Sequence, residues 1–229
     1  MPFFHKLSIA VVAFSVALGT FVGAAEKPHA VLVVGTLHYS PELSMPLFAK
    51  ELERFGFRTT VVMGKGNPEK KTQDVLPGIE ALADADLVLL SGGTSKGEGD
   101  LNTQVVDELE PGILVHGVAL KPGKPICLAA SGEKPVVILP GFPTSAIFTF
   151  HELVAPVLRA LGGLPRSAIE TRAARLAVRV ASERGRLEYL LTGLVPGTDG
   201  QLSAYPMGKG SGSVTSFSRA DGFIRIERN

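Results

Sequence analysis

Apolar residues in this chain fall into short runs broken by glycine, proline and polar turns, the pattern of strands alternating with helices. His29 to Gly35 and Phe57 to Met63 read as strands, and Asp86-Leu87-Val88-Leu89-Leu90 as a third, buried one. Between the first two, Ser40-Pro41-Glu42 supplies a cap, a first-turn proline and an acidic first turn. Met45, Phe48, Ala49 and Leu52 then mark one face of a helix. Thr72 to Ala83 is expected to form a helix interrupted or restarted near Pro77. Residues 29–90 are therefore a βαβαβ unit, which argues a parallel, doubly wound sheet.

The pattern continues downstream. Leu101 to Leu109 is helix-like, Ile113 to Leu120, Ile126 to Ala130 and Val136 to Leu139 are apolar runs, and a long helical segment ends near Gly162. After a linker from Gly162 to Arg172 the texture changes. Leu176-Ala177-Val178-Arg179-Val180 and Glu188-Tyr189-Leu190-Leu191-Thr192 read as short strands, with turns at Gly185, Gly197–Gly200 and Gly208–Gly212. The expected fold is a three-layer α/β domain with a mostly parallel sheet over residues 26–163, then a small β-domain over 172–229.

The first 25 residues belong to neither. Lys6 precedes an apolar run from Leu7 to Val22, and Gly23-Ala24-Ala25 supplies small residues before Glu26, the layout of a secretory signal peptide. The run is too short for a stable membrane span to be preferred. Its removal would leave 22 basic and 22 acidic residues, so charge gives no reason to expect nucleic acid as a partner. The remaining residues, in a chain 45% apolar, suffice for one core and a small appendage. Cys127 is the only cysteine, so no intrachain disulfide can form, and its apolar strand makes it a core thiol. His38, His116 and His151 lack metal-ligand spacing, and His151 is expected to pack on a helix.

Chemistry concentrates in three loops that follow apolar runs, where open α/β sheets bind ligands. Ser91-Gly92-Gly93-Thr94-Ser95-Lys96-Gly97-Glu98-Gly99-Asp100 lies between the third strand and a helix. Glycines there allow a phosphate to approach main-chain N–H groups. Lys121-Pro122-Gly123-Lys124-Pro125 follows, and then Pro140-Gly141-Phe142-Pro143-Thr144-Ser145.

In this order and spacing the three loops resemble the third, MoaB/Mog-like domain of the MoeA/gephyrin family, the molybdopterin molybdenumtransferases, over residues 86–163. The family carries S-G-G-x-S-x-G-x-x-D, K-P-G-K-P and P-G-N-P-x-S. Gly208-Lys209-Gly210-Ser211-Gly212-Ser213 and Arg219-Ala220-Asp221-Gly222 are similar to the turns of its C-terminal β-domain. The resemblance implies binding of molybdopterin and insertion of molybdenum from molybdate, with Mg²⁺ and a homodimer as further expectations. It places Asp100, Glu98 and Lys121 in catalytic roles, with Asp100 also toward the metal. Ser91, Gly92, Gly93, Thr94, Ser95, Lys124, Pro140, Gly141 and Ser145 are implied to hold the cofactor.

The front of the α/β unit departs from that family. Its acidic T-G-D-E-L turn is replaced by Gly35-Thr36-Leu37-His38-Tyr39-Ser40, with no carboxylate before Glu42, and its large N-terminal domains are missing. Residues 26–90 instead resemble a ThuA-like domain, a relative of the class I glutamine amidotransferase fold in exported proteins. This sets an alternative: an exported, carbohydrate-associated or non-catalytic binding domain, or a chimera joined at Asp86–Leu90. The leader implies export to the periplasm, whereas the molybdopterin family works in the cytoplasm.

Each candidate also has a plain reading. Asp100 precedes a helix and could be an N-cap. Glu98 could be a solvated loop carboxylate, and Lys121 and Lys124 surface lysines beside a turn. Ser145 is expected to cap a helix, and Phe142 stands where the family carries Asn.

Overall fold

The computed structural model describes residues 26–34, 41–67, 72–91, 94, 101–208 and 214–228. Strands β1 (His29–Val34), β2 (Arg58–Met63), β3 (Lys65–Asn67), β4 (Thr72–Val75) and β5 (Leu87–Ser91) come with helix α1 (Pro41–Arg54). Helix α2 (Leu101–Asp107) leads to β6 (Pro111–His116), β7 (Leu120–Lys121), β8 (Cys127–Ser131) and β9 (Lys134–Leu139). Then α3 (Pro143–Thr149) and α4 (Ala155–Leu161) are joined by a π-helical turn over Phe150–Val154. That widened turn lies just before Pro156, whose missing N–H cannot bond back to the preceding turn.

The main sheet runs β2-β1-β5-β9-β8-β6, with β2, β1, β5 and β9 parallel. Alternation along the strands supplies both faces. Ala30 and Leu32 pack with Ala49 and Leu52 of α1 and with Val154 and Leu158, while Val31 packs on the other side with Val106 of α2. The three layers expected from the sequence are thus present. β8 runs antiparallel to β9, because only Gly132 and Glu133 separate them and two residues cannot make a crossover. Gly132 takes φ +58° there.

The helix expected over Thr72 to Ala83 is corrected. Thr72–Val75 is extended and pairs with Lys65–Asn67, and only Ile79–Asp84 is helical, as a 3-10 turn. Pro77 cannot continue a helix and Thr72 and Val75 are β-branched, which favours extended backbone.

The C-terminal sheet contains β10 (Arg175–Leu176), β11 (Leu187–Pro196), β12 (Leu202–Pro206) and β13 (Gly222–Ile226), with α5 (Val214–Arg219) before the last strand. The strand expected over Leu176 to Val180 shrinks to Arg175–Leu176; the Ala177 N–H still donates to the Ala204 carbonyl at 3.0 Å, and Val178 beyond it is exposed. This sheet is fastened to the α/β unit. β7 pairs in parallel with β11, and the Tyr189 ring stacks on Phe148 of α3 at 4.8 Å. Among the described residues no helix is long and apolar enough to cross a membrane. Residues 1–25, which carry the expected leader, lie outside the described residues.

Candidate functional site

Sheet register brings the three predicted loops to one edge. Ser91 pairs with Leu139, so the Gly-rich loop and Pro140 leave adjacent parallel strands at their carboxyl ends. Cys127 pairs with Ile138 in the opposite direction, so the Lys121–Pro125 loop arrives at the same edge. His116 donates from Nε2 to the Thr94 carbonyl at 3.1 Å, which holds the start of the Gly-rich loop against the end of β6. Of that loop, Ser91 is exposed and Thr94 buried. Gly92, Gly93, Ser95, Glu98 and Asp100 lie outside the described residues, as does the turn at Thr36–His38.

A cavity of about 420 Å³ opens between the Lys121–Pro125 loop, the start of α3 and β11. Lys121, Lys124 and Arg186 bring positive charge to its wall, and Thr144 and Ser145 bring hydroxyls. Both hydroxyl residues sit in the first helical turn. Ser145 is not the N-cap expected of it. Phe142 holds that position, because Pro143 at N1 fixes the helix start and leaves Ser145 two residues further in. Pro140 is fully buried below, and Gly141 is exposed.

The two lysines differ in their surroundings. Lys121 Nζ lies 3.5 Å from Glu183 Oε2 and 3.7 Å from Glu188 Oε1. Arg186 also pairs with Glu183, at 3.0 Å, and Ser182 Oγ donates to Glu188 Oε2 at 2.7 Å. Lys121, to which the resemblance gives a catalytic role, lies among carboxylates of the C-terminal sheet region. Lys124 is exposed and makes no ion pair among the described residues. Tyr189 lines the same wall, and its buried hydroxyl has no hydrogen-bond partner among the described residues.

Arg186, Glu188 and Tyr189 join the site although no sequence motif marks them. Glu188 carried a usable signal, since a carboxylate heading the apolar run Tyr189-Leu190-Leu191 must find a cation or lie at the sheet's surface. Cys127 is fully buried, and its thiol is pushed above its ordinary value by burial and, less, by the charge of Asp107. His151 is exposed, with its ring edge-on to Phe150. Among the described residues no three His, Cys, Asp or Glu side chains converge as a metal site.

Comparison with known proteins agrees with this geometry. A family model of a probable molybdopterin binding domain matches residues 30–160, and one of the MoeA C-terminal region (domain IV) matches residues 173–229. The chain belongs to the MoeA family. A molybdopterin molybdenumtransferase of Haemophilus influenzae is 31% identical over 169 residues, covering 70% of this chain and 40% of the relative. A putative molybdopterin biosynthesis protein of Methanocaldococcus jannaschii is 31% identical over 152 residues, covering 65% of this chain and 34% of the relative. The solved structure of a molybdopterin biosynthesis MoeA protein from Pyrococcus horikoshii superposes with TM-score 0.58 at 30% identity, covering 88% of this chain and 50% of that one. The chain thus spans half or less of these relatives. The first family model runs unbroken through residues 30–90, so the ThuA-like resemblance of that segment, and the junction at Asp86–Leu90, gain no support.

Proposed function

We propose that this chain binds molybdopterin and serves molybdenum cofactor biosynthesis, with weak insertion of molybdenum from molybdate. The observation that carries this reading is the cavity where Lys124, Arg186, Thr144 and Ser145 converge at the carboxyl edge of the sheet. Charge-assisted hydrogen bonds from such groups suit a phosphate or an oxyanion. The unpartnered Tyr189 hydroxyl fits a ligand that brings its own acceptor.

In this reading Lys124 and Ser145 hold the anion and Lys121 adds charge from the side. Ser91, Gly92, Gly93, Thr94 and Ser95 cradle a second anionic part of the ligand, with Pro140 and Gly141 shaping the floor. Asp100 and Glu98 supply the acidic groups that steady the molybdate substrate. Insertion is weak because the acidic turn of the family is replaced by Thr36-Leu37-His38. No step is assigned to Mg²⁺. A homodimer and cleavage of the leader near Ala25, with export, complete the proposal, and the mass and location of the mature chain test the last point.

An insertion assay with molybdopterin and molybdate tests the reading. The combined variant Thr36→Gly, Leu37→Asp, His38→Glu should raise insertion with little change in molybdopterin affinity. Robust insertion by the unmodified chain would overturn the assignment of the missing turn.

A further inference from the structure

Phe142 is 62% exposed at the cavity mouth. It caps α3 with φ −76° and ψ 127°, yet its side chain makes no capping hydrogen bond, at a position where Ser, Thr, Asp or Asn would serve the helix better. It belongs to no core cluster and makes no ring contact among the described residues. Neither folding nor capping accounts for a phenyl ring there. The wall beside it is also aromatic, with Phe148 and Tyr189 stacked at an interplanar angle of 11°. The cavity is large enough for a bicyclic ring.

We propose that Phe142 is a specificity residue, whose ring face stacks on the flat heteroaromatic ring of a phosphorylated ligand while Lys124 and Ser145 hold the phosphate. The inference rests on the cavity being the oxyanion site described above. It adds a way to prefer a ring-bearing phosphate over a bare one. Stacking on an aromatic side chain is tolerant of ring substitution because it uses the π-face. Phe142 would therefore select for ring area rather than for a particular pattern of ring hydrogen bonds.

The test compares neopterin monophosphate with glycerol phosphate, which lacks the ring, in equilibrium titrations of the full chain. The parent should prefer neopterin monophosphate. Phe142→Ala should weaken that ligand about tenfold and leave glycerol phosphate within about twofold, while Phe142→Trp retains the preference. Lys124→Ala should weaken both. Binding of both phosphates with no preference in the parent, or a preference that survives Phe142→Ala, overturns the stacking role and leaves the oxyanion site standing. Equal weakening of both ligands by Phe142→Ala also overturns it. Binding of neither phosphate by the parent overturns the stacking role and the oxyanion reading together.

Discussion

Lys121 and Glu188 are register partners in the β7–β11 pairing, and the ammonium lies 3.7 Å from a carboxylate that is only 2% exposed. One strand pairing thus fixes the seam between the two sheets and places a cation beside the cavity. The Ser182 hydroxyl satisfies the other carboxylate oxygen. Lys121 consequently fastens the β-domain as well as charging the site, and Lys124 is the lysine left for a ligand.

Lys121→Met should remove the ammonium beside the buried Glu188 carboxylate and lower stability. Loss of one partner of a fully buried pair costs about 3–5 kcal/mol, and the partial exposure of Lys121 reduces this to about 1–2 kcal/mol. Urea unfolding checks it, and an unchanged midpoint would mean the pair carries no stability.

Gly123 has φ +117°, and an added Cβ would run into the Thr149 methyl group. Gly123→Ala is therefore strained by its backbone and blocked by a neighbour. It should cost about 1–3 kcal/mol and displace Lys124, so that anion binding falls along with the melting temperature. Retained affinity at reduced stability would show that the turn and the site are uncoupled.

The raised thiol of Cys127 has a pH consequence. A group that prefers its protonated form in the fold stabilises it fully below the unfolded-state value, here close to 9.0, and that contribution is lost as pH rises above it. Stability should fall above about pH 9, and Cys127→Ala should flatten that fall. The folded thiol should also resist alkylation at neutral pH, and rapid labelling of native protein would contradict its burial.

Asp100→Asn separates the two readings of that residue, because Asn caps a helix about as well as Asp. Melting should be unchanged, while insertion of molybdenum drops below detection and molybdopterin affinity stays within a few fold. Equal insertion by variant and parent would remove Asp100 from the site.

The parallel strands β1, β2 and β5, the helix between the first two and the three layers were legible because strand runs and Gly-Pro turns leave local marks in sequence. What escaped depended on pairing across the chain. Nothing local in Thr72 to Ala83 announces the Lys65–Asn67 partner that draws Thr72–Val75 into an extended strand. Lys121 reads as a loop cation until β7 is set beside β11, where its register partner is Glu188, 67 residues further along the chain. Ser145 was misplaced as a cap because Pro143 can equally open the helix that Ser145 seemed to start.

The central claim is that Lys124 and Ser145 form an anion site for molybdopterin at the carboxyl edge of the sheet. Equilibrium titration of the full chain with molybdopterin tests it most directly, comparing the parent with the double variant Lys124→Ala, Ser145→Ala. Saturable binding by the parent, weakened at least about tenfold in a double variant that remains folded, is the expected result, since each lost charge-assisted hydrogen bond is worth about 1.5–3 kcal/mol. No saturable binding by the parent, or equal binding by the two proteins, would contradict it.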